Sequence, residues 1–347
     1  MRRGDRRDHR PLGLTLTGVV LGILALFAPA ASGYHFVMFT NIDGDEVHLS
    51  WPNSAFPVDY YLNRTPPLDF SLAQAEQATQ ASFQTWEDVE SANITFNYAG
   101  LTDAEPFVFF DFISTLGFLS DPDLEGSGIL AATNWIVGPR SGEIGESDIF
   151  FNNDFFWSVD PNGSPGTFDY QSVATHEIGH FIGLDHSDVG VSVSTGFRRQ
   201  LVTGSAIMFP FSFGPGTVVG RELTVDDETG VSLLYPATGY LSSKGALAGQ
   251  VTKGGEGVGF AHVVTFNPFT EQTIGAFADA NGNFEVRGLS AGPHVVRVNP
   301  IDDPASPPDF GFPERSTDLD YADAIFVGRA EVTAGQTTRG INVEVQP

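Results

Sequence analysis

The stretch HEIGHFIGLDH, from His176 to His186, places three imidazoles, with the carboxylate of Glu177 next to the first, at a spacing that suits one metal ion. If its first half is helical, His176 and His180 lie one above the other on the same helix face and can bind the same metal ion. Gly183 can take the left-handed conformation that ends a helix, so that the chain turns and brings His186 round as a third nitrogen ligand. The spacing therefore predicts a zinc site with three histidine ligands and one open position.

An open fourth position distinguishes a catalytic zinc site from a structural one, since the metal lowers the pKa of a bound water to about 7 and polarises a neighbouring carbonyl. Glu177 follows His176 directly and is the predicted general base, which takes a proton from the water and later passes it to the leaving amine. The alternative is a chance arrangement in an ordinary amphipathic helix. A match at five specified positions rarely arises by chance. The main form of the alternative is a domain that binds metal without catalysing a reaction.

The composition excludes some classes of partner and chemistry. The chain has 347 residues, enough for two folded domains, and carries 43 acidic against 17 basic side chains, for a formal net charge of −26. Such an acidic surface makes nucleic acid a very poor partner. There is no cysteine. No disulfide can therefore crosslink the chain, and no thiolate can occupy the open position of the zinc.

The first 30 residues have the order of a secretory signal peptide, with a basic start, an apolar run over residues 12–27 and small residues at Ala28 and Ala30. We expect cleavage near Ala30 or Ala31. This predicts a secreted, extracellular protein without stable membrane insertion after cleavage. An uncleaved membrane anchor is the alternative, although the apolar run is slightly short for a span.

Between residues 31 and 236 the pattern alternates strands with amphipathic helices, which is typical of a mixed α/β layer. Ser71 is the predicted cap of the first helix, which extends to residue 89, and Thr224 is the predicted cap of the last helix, which ends near residue 234. The metal-binding helix is predicted over residues 170–183. The predicted strands cover residues 47–51, 58–62, 93–98, 107–110, 128–133 and 147–152.

Several residues of this region together match the motifs of one protein family. The matching positions are His176, Glu177, His180, Gly183 and His186, followed directly by Ser187 and further along by Met208. With them, the segment from about residue 51 to residue 236 resembles the catalytic domain of the matrixin branch of the metzincin zinc metalloproteases. The agreement is strong at the metal motif and weak before it.

The resemblance implies an α+β fold with a twisted mixed sheet, long helices and a zinc cleft. It implies that Met208 supports the metal site as the family's Met-turn, and that Leu130 and Ala131 belong to an edge strand that flanks an extended substrate. Animal members of the family hold a second, structural zinc, but Ala132 and Phe150 stand at or beside the places of its ligands. We therefore expect one catalytic zinc ion. The acidic loops and the resemblance leave calcium open as a further ion, without assigned ligands.

The composition changes after residue 236, so the chain is predicted to divide into a zinc domain over residues 31–236, a linker over 237–246 and an all-β sandwich over 247–347. Predicted strands in the sandwich cover residues 247–251, 261–266, 282–286 and 294–298. The turns between them resemble those of the carboxypeptidase-regulatory-like, or transthyretin-like, modules of secreted enzymes. The proline-rich residues 302–313 are predicted to form a long surface loop.

These features predict a secreted zinc endopeptidase that hydrolyses the peptide bonds of protein or peptide substrates and acts as a monomer. The alternative is a non-catalytic extracellular binding protein. In that case the β-sandwich would recognise a partner and the zinc site would only brace the domain.

Overall fold

The computed structural model describes residues 35–120, 127–194, 199–203, 206–302, 305–312 and 317–347. The predicted signal peptide, residues 1–30, lies outside these ranges. Within them, no helix is both long enough and apolar enough to cross a membrane.

The first part of the chain forms a five-stranded mixed sheet, flanked by shorter strand pairs. The strands of residues 35–236 are β1 (Met38–Thr40), β2 (Glu46–His48), β3 (Val58–Asn63), β4 (Phe96–Thr102), β5 (Thr115–Leu119), β6 (Ala131–Val137), β7 (Ile144–Asn152), β8 (Trp157–Ser158), β9 (Phe168–Asp169), β10 (Val191–Ser194) and β11 (Arg199–Thr203). The sheet has the order β4-β3-β5-β7-β6. Its strands run parallel except for β6, which pairs antiparallel with β7 and forms one edge.

In the described part of residues 35–236, three α-helices accompany this sheet: α1 (Leu72–Glu87), α2 (Tyr170–Phe181) and α3 (Val225–Leu234). The capping predictions are confirmed, since Ser71 and Thr224 each form a capping box at the first turn of their helix. α1 and α2 share one buried core with the sheet, in which Tyr60 of β3 stacks on Phe83 of α1 with ring centroids 3.7 Å apart. Residues 35–236 therefore have the predicted α+β architecture.

The predicted strand over residues 107–110 is wrong. Phe107 and Phe110 have φ angles of 70° and 68°, which lie in the left-handed region and interrupt an extended strand. The backbone N–H of Phe107 donates to the carboxylate of Asp148 at 2.7 Å, so the segment turns over this buried acid instead of joining a sheet. The strand at this point of the sheet is β5, which begins several residues later.

Residues 245–347, the C-terminal unit, form two five-stranded sheets around a common buried core. A short helix, α4 (Tyr240–Ser243), precedes them. The strands are β12 (Gly245–Lys253), β13 (Glu256–Gly257), β14 (His262–Phe266), β15 (Thr273–Phe277), β16 (Asn283–Leu289), β17 (Gly292–Asn299), β18 (Ala324–Ile325), β19 (Ala330–Val332), β20 (Thr337–Arg339) and β21 (Val343–Glu344). The four strands predicted from alternation are confirmed as β12, β14, β16 and β17.

The boundary between the two parts of the chain is structured. α4 and the first two residues of β12 fall inside residues 237–246, which the sequence assigned to a linker. The exact division into domains stays a prediction, as does the resemblance of the C-terminal unit to carboxypeptidase-regulatory-like modules.

The prediction of a long surface loop over residues 302–313 is also wrong for the residues of this range that the structure describes. Residues 305–312, which we call the cleft turn, contain a short 3-10 helix (Pro307–Phe310) and pack inward. Phe310 is fully buried and Phe312 is 4% exposed, in an apolar cluster that includes Phe209 of the first part of the chain. Proline content indicated a break in regular structure, but the burial of the two phenylalanines brings the segment into the interior.

Candidate metal centre and cleft

The histidines of the motif converge as their spacing predicts. His176 and His180 lie on the same face of α2, and the helix ends just before Gly183, whose φ of 98° turns the chain. A side chain at Gly183 would collide with the carbonyl oxygen of Leu49, so both the conformation and the space require glycine. The turn brings His186 back to the helix face.

The three rings present their Nε2 atoms to one point. Nε2 of His180 lies 3.1 Å from Nε2 of His176 and 3.2 Å from Nε2 of His186. Ligands bound to a tetrahedral zinc at the usual Zn–N distances would lie about 3.3 Å apart. Two of the separations match this value and all three ligand atoms lie within 4.8 Å of one another, so the donor set can hold a zinc ion. Among the described residues, these histidines form the one group of three or more potential metal ligands.

The opposite nitrogen of each ring faces a backbone carbonyl. Nδ1 of His176 lies 2.6 Å from the oxygen of Ile207, Nδ1 of His180 lies 2.8 Å from that of Leu184, and Nδ1 of His186 lies 2.6 Å from that of Asp309. Because a carbonyl can only accept, each Nδ1 carries the hydrogen and each Nε2 keeps a free lone pair for a metal.

Burial keeps two of these rings neutral. Burial lowers the pKa of His176 to about 3, with a further lowering from His186 and a partial offset from the Ile207 carbonyl. Burial also lowers the pKa of His180 well below its usual value. A neutral imidazole is the form that binds metal, so the pocket favours ligation over protonation.

Aromatic side chains fix the position of α2 through its carbonyl oxygens. The indole N–H groups of Trp86, Trp51 and Trp135 donate hydrogen bonds to the carbonyls of Thr175, Phe181 and His180, in that order. The phenol of Tyr235 donates to the carbonyl of Ile182. The last three of these carbonyls accept at or beyond the end of the helix, where carbonyls lack partners within the helix. The orientation of the histidines is therefore determined by the core as well as by the helix itself.

Glu177 lies beside the histidines and is 5% exposed. Its Oε2 accepts a hydrogen bond of 2.7 Å from the hydroxyl of Thr133 on β6. Burial raises the pKa of Glu177 to about 7, and the Thr133 hydroxyl partly offsets this shift. A carboxyl group with a pKa near neutrality can both accept and release a proton, which suits the predicted general base.

Met208 is fully buried beneath α2, and its role as the Met-turn stays a prediction. A side chain at Gly179 of α2 would collide with its sulfur, so the helix approaches the methionine closely. α3 holds the turn that contains Met208, because the carboxylate of Asp227 in α3 accepts hydrogen bonds from the N–H groups of Ile207 and Met208 at 2.9 and 3.1 Å.

A cleft of about 710 Å³ opens in front of the metal ligands. Leu130 and Ala131 line it, and β6 lies at the edge of the sheet next to β7. The role of Leu130 and Ala131 in binding a substrate stays a prediction. The regular strand begins at Ala131, so Leu130 directly precedes it. The cleft is also lined by Asp309 and Phe310 of the cleft turn.

Two residues of this site were not singled out from the sequence. Thr133 was predicted only as part of a strand, and Asp309 only as part of a loop. The spacing of Ser306 and Asp309 is a capping-box signal that could have predicted the turn. No local signal relates Asp309 to His186, 123 positions earlier in the chain.

Comparison with known proteins adds to this geometry. Residues 50–236 match the family model described as Matrixin. Metalloendoproteinase 2-MMP from Arabidopsis thaliana is 29% identical over 201 residues, which cover 54% of this chain and 43% of that protein. Interstitial collagenase from Equus caballus is 29% identical over 174 residues, covering 50% of this chain and 30% of that protein. Macrophage metalloelastase from Oryctolagus cuniculus is 30% identical over 174 residues, covering 50% and 31%. The chain thus spans less than half of the length of these relatives.

Proposed function

The chain belongs to the matrixin family, and on that premise we propose that it is a zinc-dependent endopeptidase that cleaves protein or peptide substrates. The observation that carries the proposal is the convergence of three Nε2 atoms within one cleft, beside a buried glutamate. In this proposal His176, His180 and His186 bind the metal and Glu177 is the general base.

The chemistry divides between the metal and the chain. Zinc, when bound, supplies Lewis-acid chemistry that acidifies a water and polarises the scissile carbonyl. Glu177 accepts the proton of the attacking water and returns it to the amine that leaves. The Thr133 hydroxyl holds Oε2 of Glu177 in place, which orients the carboxylate for both transfers.

An extended substrate is proposed to lie antiparallel to the edge strand at Leu130 and Ala131. Since β7 occupies one side of β6, the side toward the cleft can offer main-chain groups to a peptide. The segment from His186 to Pro210 is proposed to shape the pocket for the side chain that follows the scissile bond. Ile207, Phe209 and Pro210 of this segment line the cleft.

We also propose that the protein acts outside the cell as a monomer, after removal of residues 1–30 and without stable membrane insertion. The basic and apolar order of those residues supports this proposal. Residues 247–347 are proposed to be a carboxypeptidase-regulatory-like module. We assign no ligands to a calcium ion, which the acidic loops and the family resemblance leave open as a further ion.

The proposed function is tested by incubating the purified protein with unfolded casein, with and without a zinc chelator. We expect cleavage that the chelator abolishes and that added zinc restores. Cleavage that persists after complete removal of zinc would contradict a metal-dependent mechanism. Zinc binding without any cleavage would instead favour a binding protein in which the metal only braces the domain.

Replacement of Thr133 by valine should lower kcat about tenfold with little change in KM. The substitution preserves the shape of the side chain but removes the hydroxyl that holds the Glu177 carboxylate, a hydrogen bond to a charged group. Steady-state kinetics on a fluorogenic peptide would measure the effect, and Thr133→Ser should restore kcat.

Thr252→Val is the matched control for this substitution, because Thr252 also donates from a strand to a glutamate, Glu344, in the C-terminal unit. It should leave kcat unchanged. Equal kinetics for Thr133→Val and the wild type would mean that Glu177 is oriented by other contacts.

A further inference from the structure

His186 differs from the other two histidines in what holds its ring. The carbonyls that accept from His176 and His180 belong to Ile207 and Leu184, which lie in the matrixin part of the chain. The carbonyl that accepts from His186 belongs to Asp309, in the C-terminal unit. The third ligand is therefore oriented by a segment outside the matched residues 50–236.

The cleft turn that presents this carbonyl is held by its own contacts. The carboxylate of Asp309 accepts from the N–H and the hydroxyl of Ser306 at 2.8 and 2.7 Å, which closes the turn. The N–H of Phe312 donates to the carbonyl of Pro307 at 2.9 Å. Gly311 has a φ of 69°, which lets the chain leave the short helix.

Aromatic packing anchors the turn against the C-terminal unit. The fully buried ring of Phe310 lies 4.8 Å from the ring of Phe277 on β15, measured between centroids, and 6.4 Å from the ring of His186. Phe312 stacks on Phe260 at 4.5 Å. These three aromatic contacts leave the Asp309 carbonyl little freedom to move away from His186.

The chain that follows His186 is also fixed by the C-terminal unit. The carboxylate of Asp188 accepts from the N–H of Asp302 at 3.0 Å. The carboxylate of Asp226 accepts from the hydroxyl of Ser187 at 2.6 Å and from the N–H of Gly275 on β15 at 2.9 Å. All three carboxylate bonds are buried, so the two parts of the chain are joined directly behind the third ligand.

We propose that the C-terminal unit is part of the metal centre, with Asp309 as a positioning residue whose backbone carbonyl fixes the tautomer and the ring orientation of His186. The proposal rests on the assignment of His186 as a zinc ligand in the proposed function. Outer hydrogen bonds of this kind keep Nε2 free for the metal and make the ring a stronger ligand. The unit thus contributes to zinc affinity rather than serving only as an appended recognition module.

The test uses the full chain loaded with zinc and compares Asp309→Ala with the wild type. Loss of the carboxylate opens the turn at Ser306 and so removes one of the two restraints on the carbonyl, the other being the aromatic anchor at Phe310 and Phe312. We expect zinc release to a chelating dye to become about 10- to 100-fold faster. In the cobalt-substituted protein, the visible absorption bands should shift, because they report the geometry of the ligands directly.

Asp309→Asn retains an oxygen that can accept from Ser306 and should restore both readouts. Asn267→Ala is the matched control, because the Asn267 side chain holds a turn of the same unit by accepting from the N–H groups of Phe269 and Thr270. It should leave zinc release and the cobalt spectrum unchanged. A second variant, Phe310→Leu, loosens the anchor while keeping an apolar side chain and should act in the same direction as Asp309→Ala.

Wild-type zinc release and cobalt spectra in folded Asp309→Ala and Phe310→Leu proteins, with folding checked by near-ultraviolet circular dichroism, would overturn the proposal. These readouts do not depend on proteolysis. A wild-type protein that binds zinc but cleaves no substrate would therefore overturn the proposed function and leave the role of Asp309 to be decided by its own experiment.

Discussion

Replacement of Glu177 by glutamine is expected to reduce kcat/KM by about 10³-fold while the protein keeps its zinc. The amide oxygen of glutamine can still accept the hydrogen bond that the Thr133 hydroxyl gives to Oε2. The side chain therefore keeps its position but loses the ability to take up a proton. Cleavage of unfolded casein measures the loss, and metal analysis of the same sample measures the zinc content.

Glu177→Ala should abolish cleavage as well, again with zinc retained, because the proposed metal ligands are the three histidines. Glu143→Gln is a suitable control, since Glu143 is an exposed glutamate that does not line the cleft. Its activity should equal that of the wild type. Full activity of Glu177→Ala would show that this glutamate is not the general base, and loss of zinc would show that it supports the ligands instead.

The convergence of the three histidines could be predicted from the sequence because their geometry is local. The helical repeat alone places His176 and His180 on one face, and the left-handed turn at Gly183 then returns the chain within a few residues. The caps at Ser71 and Thr224 were predicted for the same reason, since a capping box needs only the side chains of one helical turn.

The errors arose where distant residues decide the local conformation. Residues 107–110 have the composition of a strand, but Asp148, 41 positions later, accepts the N–H of Phe107 and holds the segment as a turn. Proline-rich residues near Phe310 have the composition of an exposed loop, yet the ring of Phe310 is buried against Phe277. Intrinsic preferences describe short segments, and the tertiary partners override them.

Replacement of Asp227 by alanine should lower the free energy of unfolding by about 3–5 kcal/mol, more than any of the substitutions named above. The side chain is fully buried, and its carboxylate accepts from the N–H groups of Ile207, Met208 and Thr224 and from the hydroxyl of Thr224. Alanine would leave these buried donors without their acceptor. Thermal unfolding followed by circular dichroism should show a decrease in Tm on the order of 10 °C.

The same substitution should weaken zinc binding, because Asp227 holds the turn whose Ile207 carbonyl accepts from His176. Ser71→Ala provides the comparison, since it also removes a capping box but at an exposed helix start away from the cleft. That variant should lose only about 1 kcal/mol and keep its zinc. An Asp227→Ala protein with the same Tm and zinc release as Ser71→Ala would mean that packing around Met208, rather than this carboxylate, holds the turn beneath the metal ligands.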